Sequence, residues 1–568
     1  MACVITDSDL TLHALLLKAF SLIPTSYYVL ALSVFALTVL YNFLEVHFVR
    51  DALRGFRGDR VALTFNPSSE IYEGVVSRCR ILHGRYLATP WLASPHFQTA
   101  FLNFFGRPPS FCYRRQLYTV HDGGTIALDW LLASDVAGGP YETGRVLSKD
   151  DSTPLVIVVP GLTSDSASPY MKHLVHSFAK QGWNVVVGNH RGLGGVSLTS
   201  DCFYNAGWTN DVREVINCLH QEYPKAPLFA IGTSIGANVL VKYLGEEGEN
   251  TPLAGASSIC SPWDLLICDR FINRKLIQRL YNRTLATGLK GYAQLHQAIY
   301  TRLANWDGIS SSYSVRDFDN HATRVVANFE TVDTYYRHCS SASFIKGVSV
   351  PLLCISALDD PVCTSEAIPW DECRANKNIV LATLPHGGHL AFFKGLNACS
   401  LWWVGAVSEF FSVLYSSPYM HGQQQMEDTV VDSPLESSID KSPYVNIMEH
   451  GLIAAVKNDE PDDDKVMTSA NTQTTYELKH DNNGTIREGN EDRTEMGTAA
   501  AAHDTITAYE DRISKVFDSM AVQVKRSMNQ LSRQSGRSMW LLAYIAIVTT
   551  WPLLGSFVRA VFRKKLKL

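Results

Sequence analysis

From about residue 86 to residue 415 the chain alternates short, continuous apolar runs with longer stretches whose apolar residues recur every three or four positions. Leu155–Val159 (LVIVV), Asn184–Gly188 (NVVVG), Leu352–Ala357 (LLCISA) and Ile379–Leu384 (IVLATL) lack a clean polar alternation, so each reads as a strand buried on both faces. Helical periodicity between the runs gives the βαβ rhythm of an α/β domain on a mostly parallel sheet. Residues 228–231 form a further strand, and residues 237–244 the helix that follows it. The rhythm breaks over residues 263–345, where helical signals, including residues 275–289, predict a cap inserted between two strands.

The flanks follow other patterns. Residues 27–44 (YYVLALSVFALTVLYNFL) carry no charge over about 18 positions, enough to cross a bilayer core of about 30 Å. Asp7 and Asp9 upstream, and the lack of a small-residue cleavage site, favour an anchor over a cleaved leader. Residues 1–60 are therefore expected to be an N-terminal anchor with a basic flank. That flank (His47, Arg50, Arg54, Arg57, Arg60) predicts a cytosolic catalytic domain. Residues 416–504 turn polar and acidic, the composition of a disordered linker. Residues 505–532 repeat apolar positions at helical spacing, and this amphipathic helix is open to self-association or to docking on a membrane. Residues 539–558 form a second uncharged segment before a basic tail, an expected second membrane segment whose orientation is open because Arg533 and Arg537 precede it. The expected location is integral to the endoplasmic reticulum or another endomembrane.

Composition narrows the chemistry. A 568-residue chain that is 46% hydrophobic can bury a large core, and a net charge of -5 argues against a nucleic-acid partner held by a general basic field. The 12 cysteines form no CxxC pair or ligand-like spacing with histidine, so neither a metal site nor a disulfide framework is expected. No cofactor-binding motif stands out. A glycine-rich cradle can be read into residues 191–195, but no Lys-Ser/Thr ending accompanies it.

The candidate chemistry lies where predicted strands end. Gly232-Thr233-Ser234-Ile235-Gly236 is a GxSxG between a strand and a helix, the setting that presents a serine on a tight turn as a nucleophile. By itself such a match in a chain with 37 glycines is weak, and its neighbours must support it. Acyl transfer by Ser234 needs a base, a carboxylate to orient it, and backbone donors for the oxyanion. Pro385-His386-Gly387-Gly388-His389 offers His389 as the base, with His386 as the alternative; Asp360, before Pro361, is the acid, with Asp359 as the alternative. The chain order is then nucleophile, acid, histidine. Pro160-Gly161-Leu162-Thr163 follows an early strand, so the backbone amides of Leu162 and Ile235 are the expected oxyanion donors.

These motifs occur with others: Thr89-Pro90-Trp91-Leu92, His96-Phe97-Gln98-Thr99, Asp122-Gly123-Gly124, Leu128-Asp129-Trp130, residues 189–195 (NHRGLGG) and Gly207-Trp208-Thr209-Asn210-Asp211. Together they resemble the YheT-like, embryogenesis-associated branch of the α/β-hydrolase superfamily over roughly residues 86–415. The resemblance implies an α/β-hydrolase fold with a helical cap, the triad Ser234, Asp360 and His389, and a membrane-anchored serine hydrolase acting on phospholipids or acylglycerols. The expected activity is carboxylic ester hydrolysis of a lipid. Acyl transfer to an alcohol and a non-catalytic scaffold on the same fold are the alternatives. The extension after residue 416 departs from what the branch leads one to expect.

Overall fold

The computed structural model describes residues 20–136 and 147–422, and beyond them two short paired strands, Val445–Ile447 and Ile453–Ala455. Most of the 416–504 linker, the 505–532 helix and the 539–558 segment lie outside the described residues. Helix α1 (Thr25–Phe43) buries none of its side chains, and its mean hydropathy is 1.5. At 1.5 Å per residue it spans about 28 Å, so by length and composition it can cross a membrane.

A nine-stranded sheet organises the residues that follow. Its strands in chain order are β1 (Ala62–Phe65), β2 (Arg114–Thr119), β3 (Thr125–Leu131), β4 (Leu155–Val159), β5 (Asn184–Gly188), β6 (Leu228–Thr233), β7 (Leu253–Ile259), β8 (Leu352–Ala357) and β9 (Ile379–Leu384). Their spatial order is β1-β9-β8-β7-β6-β4-β5-β3-β2. The six strands from β9 to β5 run parallel, and β1, β3 and β2 pair antiparallel at the two edges. This is the α/β-hydrolase sheet that the motifs imply. Edge strand β1 lies upstream of residue 86, where the domain was expected to begin, and its partner residues 380–383 are more than 300 positions away, so no local pattern announces it.

Helices cover both faces: α2 (Pro95–Phe104), α3 (Pro169–Lys180), α4 (Asn210–Glu222), α5 (Ile235–Glu247), the cap helix α6 (Leu276–Leu295) and the closing helix α7 (Trp402–Tyr415). Strand β4 shows why its apolar run is unbroken. Val156 and Val158 enter the layer holding Phe178 of α3 and Phe411 of α7, whereas Leu155, Ile157 and Val159 enter the layer holding Val215 of α4 and Leu240 of α5. Each such side chain, removed from water, contributes roughly 1.5–3 kcal/mol.

The segment between β7 and β8 is helical: Leu265–Ile272, α6, Gln297–Leu303, Trp306–Ser311 and Val332–Cys339. Polar residues start several of these helices, with Asp264 accepting from the Ile267 amide, Asn305 from Gly308 and Thr331 from Thr334. Tyr292, Tyr300, Ile309 and Phe318 form an apolar cluster with Phe203 and Tyr204, which come from the loop after β5. Asp319 is buried beside that cluster, where it accepts hydrogen bonds from the Tyr336 hydroxyl (2.8 Å) and the Thr323 hydroxyl (2.6 Å). Burial raises its pKa to about 6. The native form therefore holds a proton that the unfolded chain has released, and the stabilisation is lost as pH rises from about 4 through about 6. Asp319→Asn is expected to remove this dependence, so its melting temperature should climb relative to the wild type across that window. A difference that stays constant with pH would show that Asp319 does not titrate there.

Candidate active site

Strand β6 ends at Thr233 and α5 begins at Ile235, so Ser234 is the whole of the turn between them. Its backbone sits at φ 53°, ψ −122°, a conformation that costs a non-glycine residue roughly 1–3 kcal/mol and that the flanking packing must enforce. The two glycines permit this approach. A Cβ on Gly232 would lie 2.5 Å from the Gly236 carbonyl oxygen, and one on Gly236 would lie 2.2 Å from that of Pro160. The Ser234 amide donates to the Ile259 carbonyl at the end of β7 (2.8 Å), which pins the turn to the sheet.

His389 reaches this serine from the loop after β9, with its Nε2 3.0 Å from Ser234 Oγ. Its Nδ1 is 2.8 Å from Asp360 Oδ2. One tautomer serves both contacts: Nδ1–H donates to the carboxylate, and Nε2 accepts from the hydroxyl. Asp360 is 3% exposed, and its other oxygen accepts the amides of Val362 (2.8 Å) and Cys363 (2.9 Å). The carboxylate is thus fixed before it meets the imidazole. Asp359 and His386 form a separate pair, Oδ2 to Nδ1 at 3.0 Å, while Asp359 Oδ1 accepts the Gly388 amide. Neither reaches Ser234.

Of the two expected oxyanion amides, that of Ile235 follows the serine directly, and that of Leu162 lies in the loop after β4, where a Cβ on the preceding Gly161 would come within 3.3 Å of the Ser234 Cβ. The Gly161 amide donates to the Tyr170 hydroxyl and the Thr163 amide to the Tyr204 hydroxyl. Among the described residues, Leu162 between them donates to no protein acceptor, and neither does Ile235 at the first turn of α5. The Ile235 amide lies at the helix N-terminus, where the helix dipole favours negative charge.

Several residues support the site that sequence reasoning did not single out. Thr99 Oγ1, on α2, accepts the His389 amide at 3.0 Å, and Gln98 of the same helix accepts the Phe393 amide. Their signal was the HFQT motif, read only as part of a family pattern. The Arg191 guanidinium is buried against Asp211 and Asp122, so the glycine-rich 191–195 loop spends its arginine on joining three motifs and leaves none to cradle a phosphate. Cap residue Tyr292 donates to the Arg191 carbonyl, and His296 contacts that of Gly192. Cys260, Asp360 and His389 lie close enough for a shared ion. Burial pushes the Cys260 thiol well above its usual range. The cysteines in the described residues are free thiols.

His386 also stacks on His47, with centroids 3.8 Å apart, and His47 Nδ1 contacts Asp51 at 2.5 Å. Arg50 contacts His386 Nε2. Burial, then the neighbouring His386, lowers the His47 pKa. The basic stretch after α1 is thereby bonded to the loop that carries His389.

Comparison with known proteins gives this geometry its class. Residues 154–396 match the family model described as alpha/beta hydrolase fold. The chain is 34% identical over 372 residues to the embryogenesis-associated protein EMB8 of Picea glauca, covering 64% of this chain and 78% of that protein. It is 31% identical over 318 residues to the phospholipase ABHD3 of Homo sapiens (56% and 76%) and 28% identical over 296 residues to the monoacylglycerol lipase of Saccharomyces cerevisiae (51% and 66%). The chain belongs to the α/β-hydrolase family, in the branch that holds EMB8 and ABHD3, and is by class a serine ester hydrolase.

Proposed function

We propose that this protein is a membrane-anchored lipid esterase, a phospholipase or acylglycerol lipase, with Ser234, His389 and Asp360 as its triad. The observation that carries the reading is the unbroken relay from Ser234 Oγ through His389 to Asp360, at 3.0 and 2.8 Å. Ser234 Oγ attacks the ester carbonyl as its proton passes to His389 Nε2. Asp360 holds the Nδ1–H and stabilises the imidazolium that forms. The amides of Leu162 and Ile235 receive the oxyanion, and each such donor lowers the barrier by about 3 kcal/mol. His389 then protonates the departing alcohol, and a water activated by the same imidazole releases the fatty acid.

The relatives named phospholipase and monoacylglycerol lipase support a lipid ester as substrate. Helix α1 supports an anchor, with the basic flank on the cytosolic side along with the catalytic domain. The test presents phosphatidylcholines and monoacylglycerols to membranes carrying the full chain and measures fatty-acid release. Hydrolysis of at least one class above the membrane background is expected. Failure on both classes, with the protein folded, overturns the lipid reading.

A further inference from the structure

Helix α2 has two different faces. Its inner side holds the catalytic loop, since Thr99 accepts the His389 amide and Gln98 accepts that of Phe393. Its outer side exposes Phe97 and Phe104 at i and i+7, and between them Phe101 is partly buried, packed edge to face on Phe393 at 5.2 Å. Phe101 is partly covered by Trp91, edge to face at 5.0 Å, and the Trp91 indole N–H donates to the Leu396 carbonyl at 2.8 Å. Phe104 and Leu396 are 70% and 74% exposed, and Trp91 is half exposed. Such a cluster is costly to leave against water.

This face starts where α1 ends. Ser94, the N-cap of α2, donates from its hydroxyl to the Leu44 carbonyl at 2.6 Å, and the His47 amide donates to the Ala93 carbonyl at 2.8 Å. The cap joins at the same place: Lys275 pairs with Glu45 at 2.9 Å, and Tyr281 of α6 contacts His96 of α2 at 3.2 Å. Just there α6 exposes Leu276 and Leu280 at i and i+4. Exposed Arg57 and Arg107 stand in the segments beside the apolar residues, the charge that an anionic leaflet attracts, while nearby Arg54 is paired with Asp59 at 3.1 Å.

We propose that the outer face of α2, with Trp91, Leu396 and the start of α6, is a membrane-docking surface that lies on the leaflet α1 enters. It holds the serine site at the lipid surface. This rests on the reading of α1 as a membrane helix and of Ser234 as the nucleophile. With α2 lying flat, its width of about 10 Å separates the lipid from the loop that carries His389. A lipid ester then needs to rise only a short way out of the leaflet to meet the site.

The test uses the full chain in phosphatidylcholine vesicles containing phosphatidylserine, and compares wild type with the double variant Phe97→Ser, Phe104→Ser. Each is assayed on a long-chain ester embedded in the bilayer and on a short-chain water-soluble ester. Loss of the docking face is expected to lower turnover of the embedded ester at least about tenfold and to leave the soluble ester within about twofold. Equal effects on both substrates, or none, overturn the proposal. Bimane attached at Phe104→Cys, with Cys3, Cys112, Cys202, Cys218 and Cys399 replaced by serine, is expected to be quenched by brominated lipid, and no quenching overturns docking. If the wild type hydrolyses neither ester, the catalytic reading fails, while the quenching still decides the docking face.

Discussion

Ser234→Ala is expected to lower ester turnover at least about 10⁴-fold, because triad members act as a unit and removing the nucleophile removes the covalent route. Little else should change. Ser234 Oγ contacts His389 Nε2, so its loss leaves one partly exposed imidazole nitrogen without a partner and opens no cavity. Alanine retains the Cβ and meets the same φ of 53° that serine does, and the glycines that allow the turn are untouched. The variant should therefore melt close to the wild type, which separates a chemical loss from a folding one. Two measurements check it: fatty-acid release under single-turnover conditions, and labelling by a fluorophosphonate, which requires an activated serine. The wild type should label and the variant should not. A variant that still labels, or that keeps turnover within about tenfold, would move the nucleophile elsewhere.

What could be read in the sequence, and what could not, follows from the range of each interaction. Strands β4, β5, β8 and β9 coincide with apolar runs because a parallel strand covered on both faces must be apolar throughout, a condition that the strand itself satisfies. Ser234, Asp360 and His389 were visible because they close such runs, where open α/β sheets gather side chains. Strand β1 was hidden for the opposite reason: four residues with modest alternation, just after the basic flank, become a strand only by pairing with residues 380–383. The stacking of His47 on His386 and the Ser94 bond to Leu44 are likewise contacts between distant stretches, and neither leaves a spacing to recognise. The outward face of α2 was readable as periodicity, but its meaning depends on α1 ending beside it. Arg191 is instructive in another way. The sequence shows a cation in a glycine-rich loop, and only the buried contacts with Asp122 and Asp211 show that the charge is already used.

The sequence left Asp359 and Asp360 open as the acid, and the geometry turns that choice into a measurable contrast. Both carboxylates hold a histidine and accept backbone amides, so hydrogen bonding alone would rank them as similar. The difference is which imidazole each one orients. Asn at 360 would keep an oxygen for the Val362 and Cys363 amides and turn its NH₂ toward His389 Nδ1. That nitrogen must then accept, the proton moves to Nε2, and the imidazole can no longer take the Ser234 proton. Asp360→Asn is accordingly expected to lower kcat about 10⁴-fold. Asp359→Asn alters the orientation of His386 and one bond to the Gly388 amide, both directed away from Ser234, and is expected to cost less than about tenfold through loosening of the loop. Steady-state kcat on one soluble ester, with melting temperatures to establish that both variants are folded, separates the two. If Asp359→Asn shows the larger loss, the carboxylate that serves His389 during turnover is not the one it contacts at 2.8 Å at rest, and the loop must rearrange before chemistry.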